Sequence, residues 1–597
     1  MKYVRILKQA ITLLAISSCP AVSAQRAATD TVIARNIEIV KEYNPVIQEA
    51  RKINTMPELR DIETKKIQTN YSIRTTPFSP PNDALPALDY ATVSPQPSPS
   101  YKDGFVKVGG GNYTSFLGEL YTPFYKDPQY LVDFHLKHNS SFGDVKLTPE
   151  MYPSLTEPVK SKALTNDNKA RISFLKNIRN KEFSSFIGGG YNRFDYYGYD
   201  AFVDFLRNSA LDYIPPRFDD DYRKQAFTNF DANLRYRTKE YISKWKYDLQ
   251  TNYQLFRERN KLTEHTVYTD LMGDYRMEGS SLGAKLEMYN IFLNKPGNTV
   301  HYHFEDAENT KDYTVLKLNP YYTFEGKAGT MVIGIKGAFS IGQGRPGTIF
   351  PNVYGNVKLI DQKLYIYAGV TGDLTVNNYR YTTQLNPYIS PNVRIEDTYT
   401  PIDVYAGTKI KLFNQVNADF FLGYKIINNP YFFVNKTGYS GLVDSIPGHV
   451  SPFFNTFDVV YEKDAGLFNA GLTLLYSWQD KLNFTFKSKY NAWSLSDYEK
   501  PWQIPAWEID FQTGYCVTDY LRLNLAYRFE AGRYAWINGN SMPMKNIHDL
   551  SLGVNYKLLS FMNIFLNLNN LVNQEYADWY GYTIHRFNVM GGISVSF

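Results

Sequence analysis

Leu521-Arg522-Leu523-Asn524-Leu525-Ala526-Tyr527-Arg528-Phe529-Glu530 decides the fold class. Leu521, Leu523, Leu525, Tyr527 and Phe529 fall on one side. Arg522, Asn524, Ala526, Arg528 and Glu530 fall on the other. Strict alternation means an extended strand with one apolar and one wet face. Leu482–Ala492 repeats it, with Leu482, Phe484, Phe486 and Tyr490 against Asn483, Thr485, Lys487, Lys489 and Asn491. Trp245–Leu255 and Tyr130–His138 do the same. These segments run about ten to fifteen residues, whereas globular strands centre on about five or six. A tilted strand crossing a bilayer needs roughly nine to eleven. The expected fold is all-β, a transmembrane antiparallel β-barrel whose apolar face meets lipid and whose polar face lines the lumen.

Composition agrees. The 597 residues include 50 Tyr, 38 Phe and 7 Trp, and Tyr and Trp near strand ends suit interfacial girdles. No run of eighteen apolar residues occurs, which excludes a helical membrane protein. Cys19 and Cys516 cannot build a disulfide framework or a zinc site. With 64 basic and 59 acidic residues the net charge is +5, which gives nucleic-acid binding no support. A soluble sandwich would need shorter strands, and no fixed period marks a propeller or solenoid.

Twenty-three segments read as strands: 104–111, 114–123, 129–141, 168–178, 183–195, 225–237, 242–256, 262–276, 280–292, 311–324, 328–341, 348–359, 363–375, 397–412, 415–427, 453–462, 465–477, 480–493, 506–516, 519–532, 546–557, 560–569 and 584–597. Bacterial single-chain barrels use even numbers. Tight links (124–128, 179–182, 238–241, 277–279 and their successors) alternate with longer ones (142–167, 196–224, 293–310, 376–396 and so on) from either end, although three outer links, 112–113, 257–261 and 342–347, are short and weaken the pattern. The two counts agree if 453–462 belongs to one long outer loop, 428–464, which leaves about 22 strands. Known barrels of that width have a plugged lumen.

Residues 1–24 read as a signal peptide: Lys2, Arg5 and Lys8 precede an apolar stretch, and Val22-Ser23-Ala24 suits cleavage after Ala24. Ile16-Ser17-Ser18-Cys19 is also similar to a lipoprotein cleavage site, so lipidation of Cys19 stays open. Residues 25–103 form a short head whose Pro77–Pro99 stretch is an extended linker. The barrel takes residues 104–597.

Phe561–Phe597 resembles the end of TonB-dependent outer-membrane receptors, through Asn567-Leu568-Asn569-Asn570-Leu571-Val572-Asn573-Gln574-Glu575-Tyr576, Tyr580-Gly581-Tyr582, Arg586 and the final Phe597. The resemblance implies an outer-membrane receptor, a plug in the lumen and an N-terminal box that pairs with TonB. Asp30, Thr31, Val32, Ile33 and Ala34 are similar to such a box. The family's plug needs well over a hundred residues, and residues 25–103 supply fewer. Glu42-Tyr43-Asn44-Pro45-Val46 through Pro57, followed by Gly104–Tyr113, looks instead like receptor-like barrels with a reduced N-terminus. The head then either enters the lumen or contacts a periplasmic or lipoprotein partner.

Candidate chemistry is sparse. No HExxH, paired-Cys or P-loop spacing appears, so no enzyme, metal or cofactor site is expected. His135, His548 and His585 read as wet barrel residues. Asp219-Asp220-Asp221 would attract calcium, but Arg217, Arg223 and Lys224 compensate it. Gly342–Gly347 reads as a tight outer turn, and Gly109–Gly111 and Gly188–Gly190 ease bending of their strands or leave room for lumen contents, bending being the expected role. Lys107, Lys246, Lys409, Lys411, Lys487, Lys489, Arg522 and Arg528 point inward with Asp133, Asp248, Asp403 and Glu530. They either favour anionic solutes or pair across the lumen. Phe597 on an amphipathic last strand resembles the barrel assembly signal. Three functions follow: a transport receptor working with TonB or a lidding lipoprotein, with Tyr196, Tyr197, Tyr199, Tyr431, Phe432 and Phe433 as binding aromatics; a structural or assembly subunit of a larger outer-membrane complex; or a passive porin.

Overall fold

The computed structural model describes residues 104–597 except 151–154, 198–223, 297–311, 437–455 and positions 243, 361, 414, 480 and 538. The signal peptide, the head and the TonB-box-like stretch Asp30–Ala34 lie outside the described residues, as do Asp219–Asp221 and Tyr199.

The strands are β1 (Phe105–Gly111), β2 (Ser115–Lys126), β3 (Tyr130–Ser141), β4 (Thr165–Ile178), β5 (Lys181–Asp195), β6 (Lys224–Thr238), β7 (Trp245–Glu258) and β8 (Thr263–Met277). There follow β9 (Ser280–Asn294), β10 (Tyr313–Glu325), β11 (Gly329–Ile341), β12 (Thr348–Ile360), β13 (Leu364–Thr375), β14 (Thr398–Leu412) and β15 (Val416–Asn428). The circuit ends with β16 (Asp464–Trp478), β17 (Leu482–Leu495), β18 (Trp507–Cys516), β19 (Leu521–Ala531), β20 (Ile547–Leu559), β21 (Met562–Asn569) and β22 (Asn588–Ser596). Each pairs antiparallel with its chain neighbour, and β1 pairs with β22, so the 22-stranded sheet closes on itself. Closure leaves no free strand edge.

The described part of 453–462, from residue 456 on, does belong to the long outer loop. Thr456–Tyr461 pairs with Tyr431–Lys436 in a hairpin outside the barrel sheet. Three further loop hairpins, Asp144–Leu147 with Val159–Lys162, Tyr534–Ile537 with Asn540–Pro543 and Ala577–Trp579 with Tyr582–Thr583, have no counterpart in the sequence reading.

The wall alternates as read. Ile172, Ile187, Leu234, Ile333, Ile335, Val404, Leu422 and Ile593 stand exposed on the outward face. The positions between them face inward, with Lys107, Lys317 and Lys425 buried. The seam is short: β1 and β22 share seven residue pairs, Phe105–Ser596 to Gly111–Met590. β8 and β9 share fifteen.

Inward aromatic rings lie over glycines of nearby strands. A Cβ added at Gly109 would stand 2.7 Å from Phe565 Cζ, which reaches it across β22. Gly283 meets the Tyr321 ring, Gly407 the Tyr367 ring and Gly471 the Phe421 ring in the same way. Gly109 is therefore required for the room it leaves, a correction to the bending role expected of it. Gly279, at φ 67, is needed for another reason: it turns the chain between β8 and β9 in the left-handed region.

Candidate functional site

The lumenal charges pair along the wall, between adjacent or nearby strands, rather than across the lumen as one expectation had it. Arg235 Nε donates to Asp248 at 2.8 Å between β6 and β7. Lys425 lies 3.1 Å from Asp403 between β15 and β14. Lys285 meets Glu287 at 2.8 Å and Asp270 at 3.4 Å. Lys317 and Lys336 share Asp373 at 3.1 and 3.6 Å. Lys489 reaches Glu508 at 3.9 Å and Lys409 reaches Asp419 at 4.0 Å. Such pairing satisfies the buried ammonium groups; of the eight cations expected to point inward, Lys409, Lys489 and Arg528 have acidic partners. Lys107 instead sits over the Phe565 ring, 4.3 Å from its centroid.

Above this wall the long loops form a lid. Its helix, α1 (Tyr379–Leu385), starts where Asn378 accepts the Tyr381 N–H, an N-cap that satisfies one orphan donor of the first turn. Three tyrosines carry the geometry. Tyr197 follows β5, Tyr388 lies between β13 and β14, and Tyr582 lies between β21 and β22. Strands 5, 13 and 21 of 22 are rooted about a third of the circuit apart, so rings that meet from those roots meet over the mouth. Tyr388 and Tyr582 stack at 3.5 Å, and Tyr197 stands edge-on to Tyr582 at 4.7 Å. Tyr197 also donates to the Thr583 carbonyl at 2.6 Å, and Tyr196 to the Ile389 carbonyl at 3.4 Å.

The lid core adds Val145, Leu147, Phe194, Tyr379, Ile395, Tyr431, Phe433 and Phe457, all buried. Each large side chain taken from water contributes about 1.5–3 kcal/mol, enough together to offset the entropy of ordering the loops. Polar ties complete it. The Glu462 carboxylate accepts backbone N–H groups of Ser496, Asp497 and Tyr498 at 3.0–3.1 Å. Asn435 donates to the Tyr580 carbonyl at 2.9 Å. Arg533 donates to the carbonyls of Asp578, Ala577 and Lys545 at 2.9, 3.0 and 3.3 Å. Arg380 of α1 forks onto Asp231 of β6 at 2.7 and 3.0 Å, tying lid to wall.

The lid changes the role of the loop aromatics. Tyr196, Tyr197, Tyr431, Phe432 and Phe433 were expected to face a solute; all five are buried, four of them in the lid core and Phe432 in a second cluster with Val434, Trp493 and Trp502. The sequence shows apolar residues in loops, and nothing in it separates a loop that packs from a loop that captures. Burial also sets the lid's acid–base properties. It raises the Asp397 carboxyl to about 6, against the pull of the Asn377 N–H and Tyr313 hydroxyl that it accepts. The Tyr379 hydroxyl is pushed well up by burial and then by Glu258, Glu264 and Asp458.

The remaining sequence candidates are placed singly. His135 Nε2 lies 2.9 Å from Glu119 on the lumenal face. His548 Nδ1 lies 3.0 Å from the Tyr527 hydroxyl. His585 stacks on Tyr113 at 4.2 Å, and burial holds its imidazole below the usual range. Cys516 accepts from Arg522 at 3.2 Å. Gly342–Gly347 spans the outer turn from β11 to β12. Phe597 is 57% exposed beyond β22, and its backbone exchanges both hydrogen bonds with Gly104 at 2.9 and 3.0 Å.

No family model matches the chain, and no curated protein matches it in sequence. Solved structures do match in shape. The siderophore receptor PirA from Acinetobacter baumannii superposes with a TM-score of 0.60 at 10% identity, covering 83% of this chain and 80% of that one. The copper transporter OprC gives 0.57 at 13% identity, covering 83% and 81%. A mutant of the ferric enterobactin receptor PfeA from Pseudomonas aeruginosa gives 0.57 at 9% identity, covering 83% and 80%. At 9–13% identity these likenesses show the fold alone: this chain, a closed 22-stranded barrel, has the overall shape of these receptors and of this transporter.

Proposed function

We propose that the chain is an integral outer-membrane barrel working as a gated receptor for solute uptake. The observation that carries this reading is the lid: loops from three sides of a 22-strand wall close over a lumen lined with paired charges. A wide lumen is of use for passage, and a packed lid is of use where passage is controlled. The shape-matched proteins are named for siderophore, enterobactin and copper, which supports uptake in general and leaves this chain its own solute. In this reading Asp30–Ala34 engages TonB, or a periplasmic or lipoprotein partner does the coupling. Residues 25–103, between the signal peptide and the wall, supply what contacts it.

The test compares cells lacking the protein with cells carrying a deletion of residues 30–34, by accumulation of radiolabelled ferric and cupric chelates and of a small-solute panel. A common loss in both strains supports energised uptake. Uptake lost only in the null strain points to a partner other than TonB. Uptake equal to wild type in both refutes the reading.

One observation favours a second reading, a structural subunit of a larger outer-membrane complex. The loop aromatics are committed to the lid core, so no described cluster of them is left facing outward for capture. Affinity purification from membranes separates the two, because a structural subunit requires a stoichiometric partner. A passive porin is disfavoured, since it needs an open mouth.

A further inference from the structure

The outward face of the wall is apolar, with one exception at the end that carries the short turns. In the half of each barrel strand next to those turns, Lys176 of β4 and Lys181 of β5 are the only Lys, Arg, Asp or Glu side chains of outward parity among the described residues. They share that parity with the exposed Ile172 and Ile187 of the same strands. A lysine on the lipid face is costly at the bilayer midplane and tolerated near the interface. Both stand at the turn ends of their strands, at the level of lipid headgroups, and short turns face the periplasm in such barrels.

The two lysines form a pair. Register sets Lys176 opposite Phe183 and Lys181 opposite Ile178, so they are diagonal neighbours on one hairpin. Such neighbours lie roughly 7–8 Å apart at the backbone, a span that one phosphate group can bridge between two ammonium groups. No ion pair among the described residues includes either of them. The only carboxylate between Phe174 and Phe183 is that of Glu182, which points inward and is taken by Arg237 at 2.8 Å and Lys239 at 3.7 Å. Tyrosines frame the pair instead. Lys176 Nζ lies 5.0 Å from the centroid of Tyr130 on β3, and Lys181 Nζ lies 5.9 Å from that of Tyr236 on β6. Lys181 also faces the hydroxyls of Tyr236 and of Tyr247 on β7; Tyr247 donates to Tyr236 at 3.5 Å, which leaves the Tyr236 hydroxyl proton to give. Toward the middle of the strands, Phe174 and Phe183, with rings 5.9 Å apart, open an apolar face that continues through Ile172 and Ile187. Donors at headgroup level above an apolar track match an amphiphile with an anionic head, where a soluble anion would use the donors alone.

We propose that the outward flank of β3–β7, at its short-turn end, binds an anionic glycerophospholipid of the periplasmic leaflet. Lys176 and Lys181 hold the phosphodiester from two sides, the Tyr236 hydroxyl donates to it, and the acyl chains lie along Phe174, Ile172 and Ile187. Lysines that merely reach up to headgroup water would be indifferent to which lipid is present. The inference requires the wall to face lipid and stands apart from the uptake reading, since a structural barrel would hold the same lipid.

The experiment uses the full chain reconstituted in an equimolar mixture of phosphatidylglycerol and phosphatidylcholine with matched acyl chains. Lipid retained after extraction into detergent is counted by native mass spectrometry. Wild type should retain one phosphatidylglycerol in preference to phosphatidylcholine by about thirtyfold, from two lysines at an interface. The preference should fall close to unity in Lys176→Gln/Lys181→Gln and stay unchanged in Lys411→Gln, which removes a lumenal lysine at the same end of the wall. The heat-modifiable band on gels confirms that each variant forms its barrel. Equal retention of the two lipids by wild type overturns the proposal, and decides even if the double variant fails to fold. A full preference in the double variant also overturns it. Release of the retained lipid by excess inorganic phosphate would make a free anion the ligand and overturn the lipid assignment.

Discussion

Replacing Tyr582 with alanine should release the lid and leave the barrel standing. Tyr582 is 2% exposed and touches Tyr388 at 3.5 Å, Tyr197 at 4.7 Å and Phe457 at 6.1 Å between ring centroids. Truncating a buried aromatic side chain costs about 3–5 kcal/mol, depending on how far the site collapses. The loops are tethered at both ends and can collapse, so the lower figure applies. A loss of about 3 kcal/mol in the opening free energy is roughly two decades in exchange rate. The reporters are the amides that join the β13–β14 loop to the β15–β16 loop, Ser390 N–H to the Phe457 carbonyl at 2.7 Å and Phe457 N–H to the Tyr388 carbonyl at 3.0 Å, with Ile584 N–H to the Tyr576 carbonyl at 3.1 Å inside the loop of Tyr582. Amides of β19, paired on both sides with β18 and β20, are the internal control. Hydrogen exchange by mass spectrometry reads both sets in one sample. Acceleration below tenfold at the loop amides, or equal acceleration in β19, would refute the idea of a lid held by its own core.

Gly109→Ala should destabilise the barrel by about 1–3 kcal/mol, because its Cβ meets the Phe565 ring and the Gly591 carbonyl; unfolding in urea with detergent measures it, and Phe565→Ala in the same chain should recover part of the loss. Asp397, raised to about 6, is neutral in the folded lid over a range where the unfolded chain is already ionised. Its contribution is therefore present below about pH 4 and is lost as pH rises through 6, by at most about 3 kcal/mol. Loop-amide protection should fall across that window in wild type, and Asp397→Asn should flatten this part of the profile. Phe597→Ala should lower the amount of barrel assembled in the membrane more than Val595→Ala does, read as the heat-modifiable band on gels; equal yields would reduce Phe597 to a girdle residue.

The wall was legible because lipid outside and water inside impose a period of two on every strand, as in Leu521–Ala531. Connection length then assigned 453–462 to a loop, since a lone extra strand would leave the two termini at opposite ends. The lid was not legible. Its contacts join residues as far apart as Tyr197 and Thr583, and loop sequences carry no period that marks a buried face. Glu258 was equally silent, lying in what read as a short outer link from 257 to 261, whereas it ends β7 with its side chain 2% exposed. Gly109 read as a hinge because a sequence shows a missing side chain but not the ring that fills the space.

The closure of the sheet by seven residue pairs, against fifteen between β8 and β9, also matters to the bilayer. Seven residues tilted as barrel strands are rise roughly 17 Å along the membrane normal, less than the apolar band of about 25 Å that such barrels present. Acyl chains abutting β1 would then shorten or splay where those abutting β8 would not.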